Sequence, residues 1–292
     1  MSTEYIREQR KPLEDMDIID DFLFTEIMTD KESGTELCRM ILKCVLKREI
    51  GKIDFTPQLT VPGVTERAHG IRMDAYIEEN RSDTDWRGPD INVYDIEPDN
   101  RIDKKAELPR RSRYYGDLID VQLLNTGVNY AKLPELMTIF ILSYDPFGAG
   151  AMYYEVGSII KTHSDIEYND GIRRIFLYVD GELPEGSGKE EKKLKNLLRY
   201  IADSTEHNVI DENTEILDRI VKQTKSKKDV GIRYMKSWER ERELIEEGRE
   251  EGREEERVNT ERERQRADAA EVRADVAEAR IKELEEMLKL GS

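Results

Sequence analysis

Apolar and polar residues alternate one by one in two neighbouring stretches of the chain, His69–Glu79 and Ile91–Asp99. This period of two is typical of β-strands with two unlike faces. The segment between them is rich in turn-forming residues and contains a Gly-Pro pair. The pattern predicts a β-hairpin, and symmetric pairing about its tip places Tyr76 opposite Asp95.

The same pairing brings two acids together, because it also places Asp74 opposite Glu97. Directly opposed residues on antiparallel strands have Cβ atoms about 4.5–5.5 Å apart. Two carboxylates at that distance repel each other unless a cation lies between them, and Mg²⁺ binds carboxylate oxygens. The pattern therefore predicts a divalent metal site, with ion pairs to Arg72 or Arg110 as the plainer alternative.

Apolar residues at helical spacing, and short apolar runs, predict the other elements. The predicted helices are Ile18–Met28, Glu36–Lys47 with Thr35 as N-cap, Lys189–Thr205 and Asn213–Lys228, and the predicted strands are Ile53–Val61, Thr138–Ser143, Met152–Ile160 and Ile175–Val179.

A basic segment follows the hairpin. Its six cationic residues are Arg101, Lys104, Lys105, Arg110, Arg111 and Arg113. Pro109 suits the first turn of a helix, which is predicted to run from Arg110 to Leu124 and to bury Tyr114, Leu118 and Val121. The cluster is suited to phosphate contacts, while a solvated helix start is the alternative interpretation.

From Trp238 onward the chain is dominated by Glu and Arg, and Gly248 and Gly252 interrupt any apolar stripe. Further on, small and apolar residues follow a 3,4 spacing: Ala267, Ala270, Ala274, Ala277, Ile281, Leu284 and Leu288. This spacing predicts a coiled coil through which the chain forms a homo-oligomer. A solvated single helix held by Glu–Arg pairs is the alternative.

Composition adds limits on domains and partners. The 292 residues are divided by these patterns into a core (1–180), a helical extension (181–235) and a charged tail (236–292). The net charge of −17 argues against a broadly basic surface, although it allows a local basic groove.

Cellular location is addressed by two observations. Cys38 and Cys44 lie in an apolar helical run, which predicts buried thiols in a reduced compartment. No apolar run reaches about 18 residues and no secretory segment opens the sequence, so we expect a cytoplasmic protein without membrane partners.

Five stretches carry a resemblance to a known family: HGIRMD (His69–Asp74), YDIEPD (Tyr94–Asp99), LPRRSRYYGDLID (Leu108–Asp120), LLNTGVNYAKLPE (Leu123–Glu135) and IFILSYDPFG (Ile139–Gly148). In this order they resemble the PD-(D/E)XK nuclease superfamily, and within it the Rpn family of recombination-promoting nucleases, also called PD-(D/E)XK family transposases. The resemblance extends from about Asp20 to Lys228. It implies an α/β fold with a restriction-endonuclease-like core, in which helices flank a mixed central sheet, followed by C-terminal helices and a coiled-coil tail.

The resemblance also implies an activity, hydrolysis of DNA phosphodiesters by a Mg²⁺- or Mn²⁺-dependent endonuclease acting in DNA recombination. Asp74 would be the first metal ligand and Glu97 the second, while Glu36 matches the family's helix acid only loosely. Asp99 stands where the family has Lys or Gln, and this departure lets it join the metal ligands instead.

A substitute cation for the missing Lys would come from Lys104, Lys105, Arg110 or Arg111. The residues expected to contact DNA are Arg110, Arg111, Arg113 and Tyr114. The departure at Asp99 also favours a second hypothesis, a weakened or inactive nuclease fold that binds DNA or protein and oligomerises through its tail. A purely structural coiled-coil protein is the third.

Overall fold

The structure is a computed structural model that describes residues 11–63, 69–80, 91–124 and 127–290, with side chains described as far as residue 282. The predicted hairpin tip between β2 and β3 lies outside these ranges, as do the two residues that follow the predicted end of the basic helix at Leu124. All statements below concern the described residues.

Six strands of the described chain form one mixed sheet in the order β1-β2-β3-β4-β6-β5. The strands are β1 (Ile53–Val61), β2 (Ile71–Asn80), β3 (Ile91–Asp99), β4 (Glu135–Leu142), β5 (Tyr153–Val156) and β6 (Ile172–Tyr178). The first three strands pair antiparallel, β4 lies parallel to both β3 and β6, and β5 pairs antiparallel with β6. The predicted strand at Ile53–Val61 is confirmed, and β3 and β4 occupy the buried centre.

Helices flank this sheet, so the predicted α/β class is confirmed. They are α1 (Asp21–Thr29), α2 (Lys31–Leu46), α3 (Leu108–Leu123), α4 (Lys189–Ala202), α5 (Glu212–Ser226) and α6 (Lys228–Leu290). The first two helices pack with α4, α5 and β1, whereas α3 connects β3 to β4 and packs on β1 and β4.

Helix α2 begins earlier than the apolar spacing predicts, and Thr35 as its N-cap was wrong. The helix starts at Lys31, because the carboxylate of Asp30 accepts a hydrogen bond from the backbone N–H of Ser33 at 3.0 Å. An Asp side chain satisfies a free amide of the first turn as well as a Thr hydroxyl does. The predicted start missed this turn because it contains no large apolar residue.

The buried face of α3 also differs from the prediction. Tyr114 is 36% exposed and Val121 is 56% exposed, whereas Ser112 and Gly116 are buried with Leu118. A Cβ atom on Gly116 would lie 3.0 Å from Cδ1 of Ile172, so the glycine lets α3 approach the sheet closely. This close approach turns the small residues of α3 inward and Tyr114 and Val121 outward.

The face of the sheet below α3 positions the site. Leu108 of this helix packs with Phe140, Leu142 and Phe176 of β4 and β6. The register between β3 and β4 pairs Phe140 with Glu97 and Leu142 with Asp99, so these acids share the face that α3 covers.

Beyond the sheet, the described chain forms two compact units, one that ends at Gly231 and one that begins at Ile232. The helices predicted as a separate extension over 181–235 lie almost wholly in the first unit. Within the second, every side chain described from residue 246 to 282 is exposed. None of the described helices combines the length and the apolar character needed to cross a membrane.

Gly34 tests the packing of α2, and Gly231 of α6 serves as a comparison. In Gly34→Ala the new Cβ would lie 2.6 Å from Cε1 of Phe55 and 3.2 Å from Cα of Met28, so we expect a loss of about 1–3 kcal/mol in the free energy of unfolding. Gly231→Ala meets no described atom within 4 Å and should gain about 0.5–1 kcal/mol from helix propensity. Urea unfolding of both variants checks this, and equal changes would contradict the close contact.

Candidate active site

Two acids of the predicted hairpin face each other across β2 and β3. The recorded register pairs Tyr76 with Asp95, as predicted. Continued by one residue, it places Asp74 opposite Glu97, and the backbone N–H of Asp74 donates to Oε1 of Glu97 at 2.8 Å. The alternating pattern therefore positioned these residues correctly.

A third acid, Asp95, lies with them on the same face. Asp95 is 0% exposed and Glu97 is 6% exposed, whereas Asp74 is half-buried and gives the group its access to solvent. The cover comes from α3, whose Tyr115 lies close enough for the charge of Glu97 to act on it. Burial, helped by that charge, raises the pKa of Tyr115 to about 12.

The three acids hold their protons unusually tightly. Burial raises the pKa of Asp74 to about 6 and that of Asp95 to about 8. Burial also raises the pKa of Glu97 well above its ordinary value, and the charges of Asp95 and Asp74 add to this effect. Desolvation and like charge both disfavour the ionised form of these three carboxyl groups, so they tend to stay protonated.

The carboxyl group of Asp95 is fully buried and has no described hydrogen-bond donor. Both of its carboxylate oxygens are buried, and no described donor forms a hydrogen bond with either of them. A proton shared with Glu97 would supply one such bond. Thr138, which pairs with Asp95 across β3 and β4, also has a buried hydroxyl without a described partner. Buried polar atoms without partners are rare in folded proteins, and they mark places where an ion or water belongs.

A helix acid whose charge acts on this group is Asp21. Asp21 is the first residue of α1, and after burial its charge is the next largest cause of the raised pKa of Asp74. Glu36 lies half-buried in the second turn of α2, and its charge is not among the causes acting on Asp74. The sequence did not single out Asp21, because acids are common at helix starts. Only the fold shows that its charge acts on Asp74 of β2.

Asp99, the residue in the Lys/Gln place, is held by cations. It is 3% exposed and forms ion pairs with Arg111 and Arg101, and the hydroxyl of Tyr144 donates to it at 3.1 Å. Burial acts to raise the pKa of Asp99, but the hydrogen bonds from Arg111 and Arg101 outweigh it, so the pKa is lowered. Of the predicted substitute cations, Arg111 is the one that the structure brings to this carboxylate.

The other predicted basic residues lie on the outside of the same region. Lys104 and Lys105 belong to the 3₁₀ turn Ile102–Glu107, where Lys104 is exposed and Lys105 half-buried. On α3, Arg110 and Arg113 are exposed, while the hydroxyl of Tyr114 donates to the carbonyl oxygen of His69. These side chains give a locally positive, accessible surface beside the acids.

A cavity of about 320 Å³ lies at the opposite end of β3, where Arg48 and Tyr94 contribute to its lining. The charge of Arg48 is already paired. Arg48 donates to both oxygens of Glu79 at 2.8 and 2.6 Å, and the hydroxyl of Tyr94 donates to the same carboxylate at 2.6 Å.

No protein-family model, no curated protein and no solved structure matches the chain in the comparisons made. The part of the chain that the structure describes also contains no group of three or more His, Cys, Asp or Glu side chains already arranged to hold a metal ion. The class of protein that the fold defines is thus an α/β protein with a mixed six-stranded sheet and a long charged helix.

Asp95 has a measurable effect on stability. Its pKa rises from 3.8 to about 8 on folding, so between these values the unfolded chain releases a proton that the folded chain keeps. The contribution of Asp95 to stability without metal is therefore most favourable below about pH 4 and falls as the pH rises towards 8. Asp95→Asn, whose amide mimics the protonated carboxyl, should flatten this fall and gain about 1–3 kcal/mol at pH 8.

Urea unfolding in EDTA, repeated from pH 4 to pH 8, measures the effect of Asp95→Asn. Asp54→Asn changes an exposed acid of β1 and is the matched control, because it should follow the parent protein. Parallel pH curves for the parent and Asp95→Asn would show that Asp95 is not a buried, protonated acid.

Proposed function

We propose that the chain is a metal-dependent DNA endonuclease that hydrolyses phosphodiesters, of the recombination-promoting, transposase-like PD-(D/E)XK type. The observation that carries this proposal is the group formed by Asp74, Glu97 and the fully buried Asp95 on one face of the sheet. The order of elements supports it, because a helix, three antiparallel strands, a basic helix and a parallel strand follow one another as the resemblance implies.

The donor set fits the implied Mg²⁺ or Mn²⁺ ion. Carboxylate oxygens are the ligands that such hard cations take, and the buried oxygens of Asp95 without a described donor support a ligand at this place. Asp74 and Glu97 would hold the ion, and small side-chain movements must complete the arrangement. When bound, the ion supplies Lewis acidity and lowers the pKa of a bound water.

The chain's own residues bind and orient the substrate. Hydrolysis joins a water oxygen to phosphorus and breaks one ester P–O bond, and the leaving oxygen takes up a proton. Arg110 and Arg113 are exposed and suited to contact the DNA backbone, with Arg111 deeper in the site. Tyr115 lies near Glu97 and Asp95, whose charges act on its hydroxyl. Tyr114 holds the segment at His69 beside the start of β2.

The second candidate function is an inactive nuclease fold that binds DNA or protein. The observation in its favour is that Asp99 carries a negative charge where the family has Lys or Gln, together with the net charge of −17. Calorimetric titration with Mn²⁺ separates the two, since an inactive site should bind no metal or should bind it without Asp74.

The cytoplasmic location and oligomerisation through the tail also stay proposals. The thiols of Cys38 and Cys44 are free and buried, which agrees with a reduced compartment. On α6, Val272, Val276 and Ile281 are each more than half exposed, so apolar side chains are available for a second copy of the chain.

Nicking of supercoiled plasmid tests the endonuclease. With Mn²⁺ or Mg²⁺ the parent should nick DNA, and Asp74→Ala and Glu97→Ala should each lower the rate by at least about 100-fold because charge stabilisation is lost. Asp54→Ala, an exposed acid on the neighbouring strand, is the control and should nick like the parent. A parent that does not nick, or alanine variants that nick equally well, would overturn the proposal.

Sedimentation equilibrium tests the tail. Ile281→Glu places a charge in the predicted seam and should weaken self-association by at least about tenfold, since a buried charge without a partner is costly. Glu278→Gln lies outside the predicted seam and should not alter the association. A monomeric parent, or equal association of both variants, would favour the solvated single helix.

A further inference from the structure

The carboxylate of Asp99 is saturated with hydrogen-bond donors. Its Oδ1 accepts from the backbone N–H of Arg101 at 2.8 Å and from Nε of the same residue at 3.1 Å. Its Oδ2 accepts from Nη2 of Arg111 and from the hydroxyl of Tyr144. A carboxylate offers about four lone-pair positions, and here all of them are used. A metal ion could bind Asp99 only by displacing one of these donors.

The cluster formed by Asp99, Arg101 and Arg111 carries a net positive charge. One carboxylate and two guanidinium groups sum to +1, the charge of a single Lys. The cluster therefore supplies at this position the cation that Asp99 alone cannot supply.

This positive charge lies beside the acids. Asp99 follows Glu97 by two residues on β3, so both point to the same face. The guanidinium of Arg111 lies 5.6 Å from the ring centre of Phe140, which pairs with Glu97 in the sheet. Arg101 acts from the other side, where its charge helps to lower the pKa of Asp74 against the effect of burial.

Both arginines keep donors that Asp99 does not use. A guanidinium has five N–H donors, and Asp99 receives one from each side chain. Arg101 has a side chain that is 52% exposed, so its remaining donors are open to a ligand. The side chain of Arg111 is 16% exposed, and its Nε has no hydrogen-bond partner among the described residues.

From this arrangement we infer that Asp99 is a positioning residue that holds Arg101 and Arg111 as a clamp for a phosphate group of DNA next to Asp74 and Glu97. The inference rests on the proposed function and names the part of the site that binds the scissile phosphate. Guanidinium groups pair with phosphate through two parallel hydrogen bonds, and cations fixed in place stabilise the charge of the transition state.

Salt-dependent binding of a fluorescent DNA duplex, without metal, measures the phosphate contacts. Each lost contact should lower the slope of log K against log salt by about 0.9. Arg101→Gln and Arg111→Gln should each show this change, whereas Arg111→Lys and Asp99→Asn keep both cations and should keep the parent's slope. Arg173→Gln is the matched control, because Arg173 is also paired with an acid, Glu155, but belongs to the opposite face of the sheet.

Plasmid nicking adds the kinetic measurement. Arg101→Gln and Arg111→Gln should lower kcat by about 100-fold, the usual effect of removing one group that stabilises transition-state charge. Arg111→Lys should recover part of this loss, because the charge returns without the planar fork. Asp99→Asn should lower kcat while its affinity for Mn²⁺ stays within about twofold of the parent's, since the hypothesis gives Asp99 no metal contact.

The outcomes separate this inference from the proposed function. Unchanged salt slopes in both Gln variants would overturn the clamp, and a large loss of Mn²⁺ affinity in Asp99→Asn would make Asp99 a metal ligand instead. If the parent nicks DNA in either case, the endonuclease proposal stands. If the parent binds DNA with the expected slopes but does not nick, the clamp stands and the endonuclease fails. A parent that binds no DNA overturns both proposals. The side chain of Arg101 is exposed, so a loss in Arg101→Gln is not explained by misfolding.

Discussion

Neutralising buried carboxylates is the constraint on which the rest of this structure depends. Glu79 and Asp99 are both about 3% exposed, and each is ionised because arginine side chains reach it. For Glu79, the bonds from Arg48 and Tyr94 outweigh burial and lower its pKa to about 2. For Asp99, Arg111 and Arg101 have the same effect. Burial of an acid is tolerable in this sheet where a guanidinium accompanies it.

The three acids of the candidate site differ from Glu79 and Asp99, because no guanidinium of the described residues forms an ion pair with them. Asp74, Asp95 and Glu97 lie on a few neighbouring positions of β2 and β3, and burial raises the pKa of all three. These three acids lie at the centre of the sheet. On β3, Glu97 is only two residues from Asp99, whose carboxylate is paired with Arg101 and Arg111.

Much of this arrangement could be predicted because it is local. The alternation of β2 and β3, paired symmetrically about the predicted hairpin tip, predicted the pairing of Tyr76 with Asp95, and a shift of one residue would have exchanged the two faces. The buried strand near Thr138 was predicted from its continuous apolar run, and its parallel neighbours explain that run. The turn before Ser33 and the inward face of α3 were not predicted, because Asp30 and Gly116 act through a cap and a close contact.

By itself, the sequence determined the approximate positions of the strands and helices and that Asp74 and Glu97 face each other, because hydrophobic periodicity and strand pairing act over short distances. Only the tertiary structure decided the partners of the acids. It brought Asp21 rather than Glu36 to Asp74, left Asp95 without a donor, and joined Asp99 to Arg111 from the following helix. Those contacts depend on how α1 and α3 pack against the sheet, and the charge on a buried carboxylate follows from what packing places within a few ångströms of it.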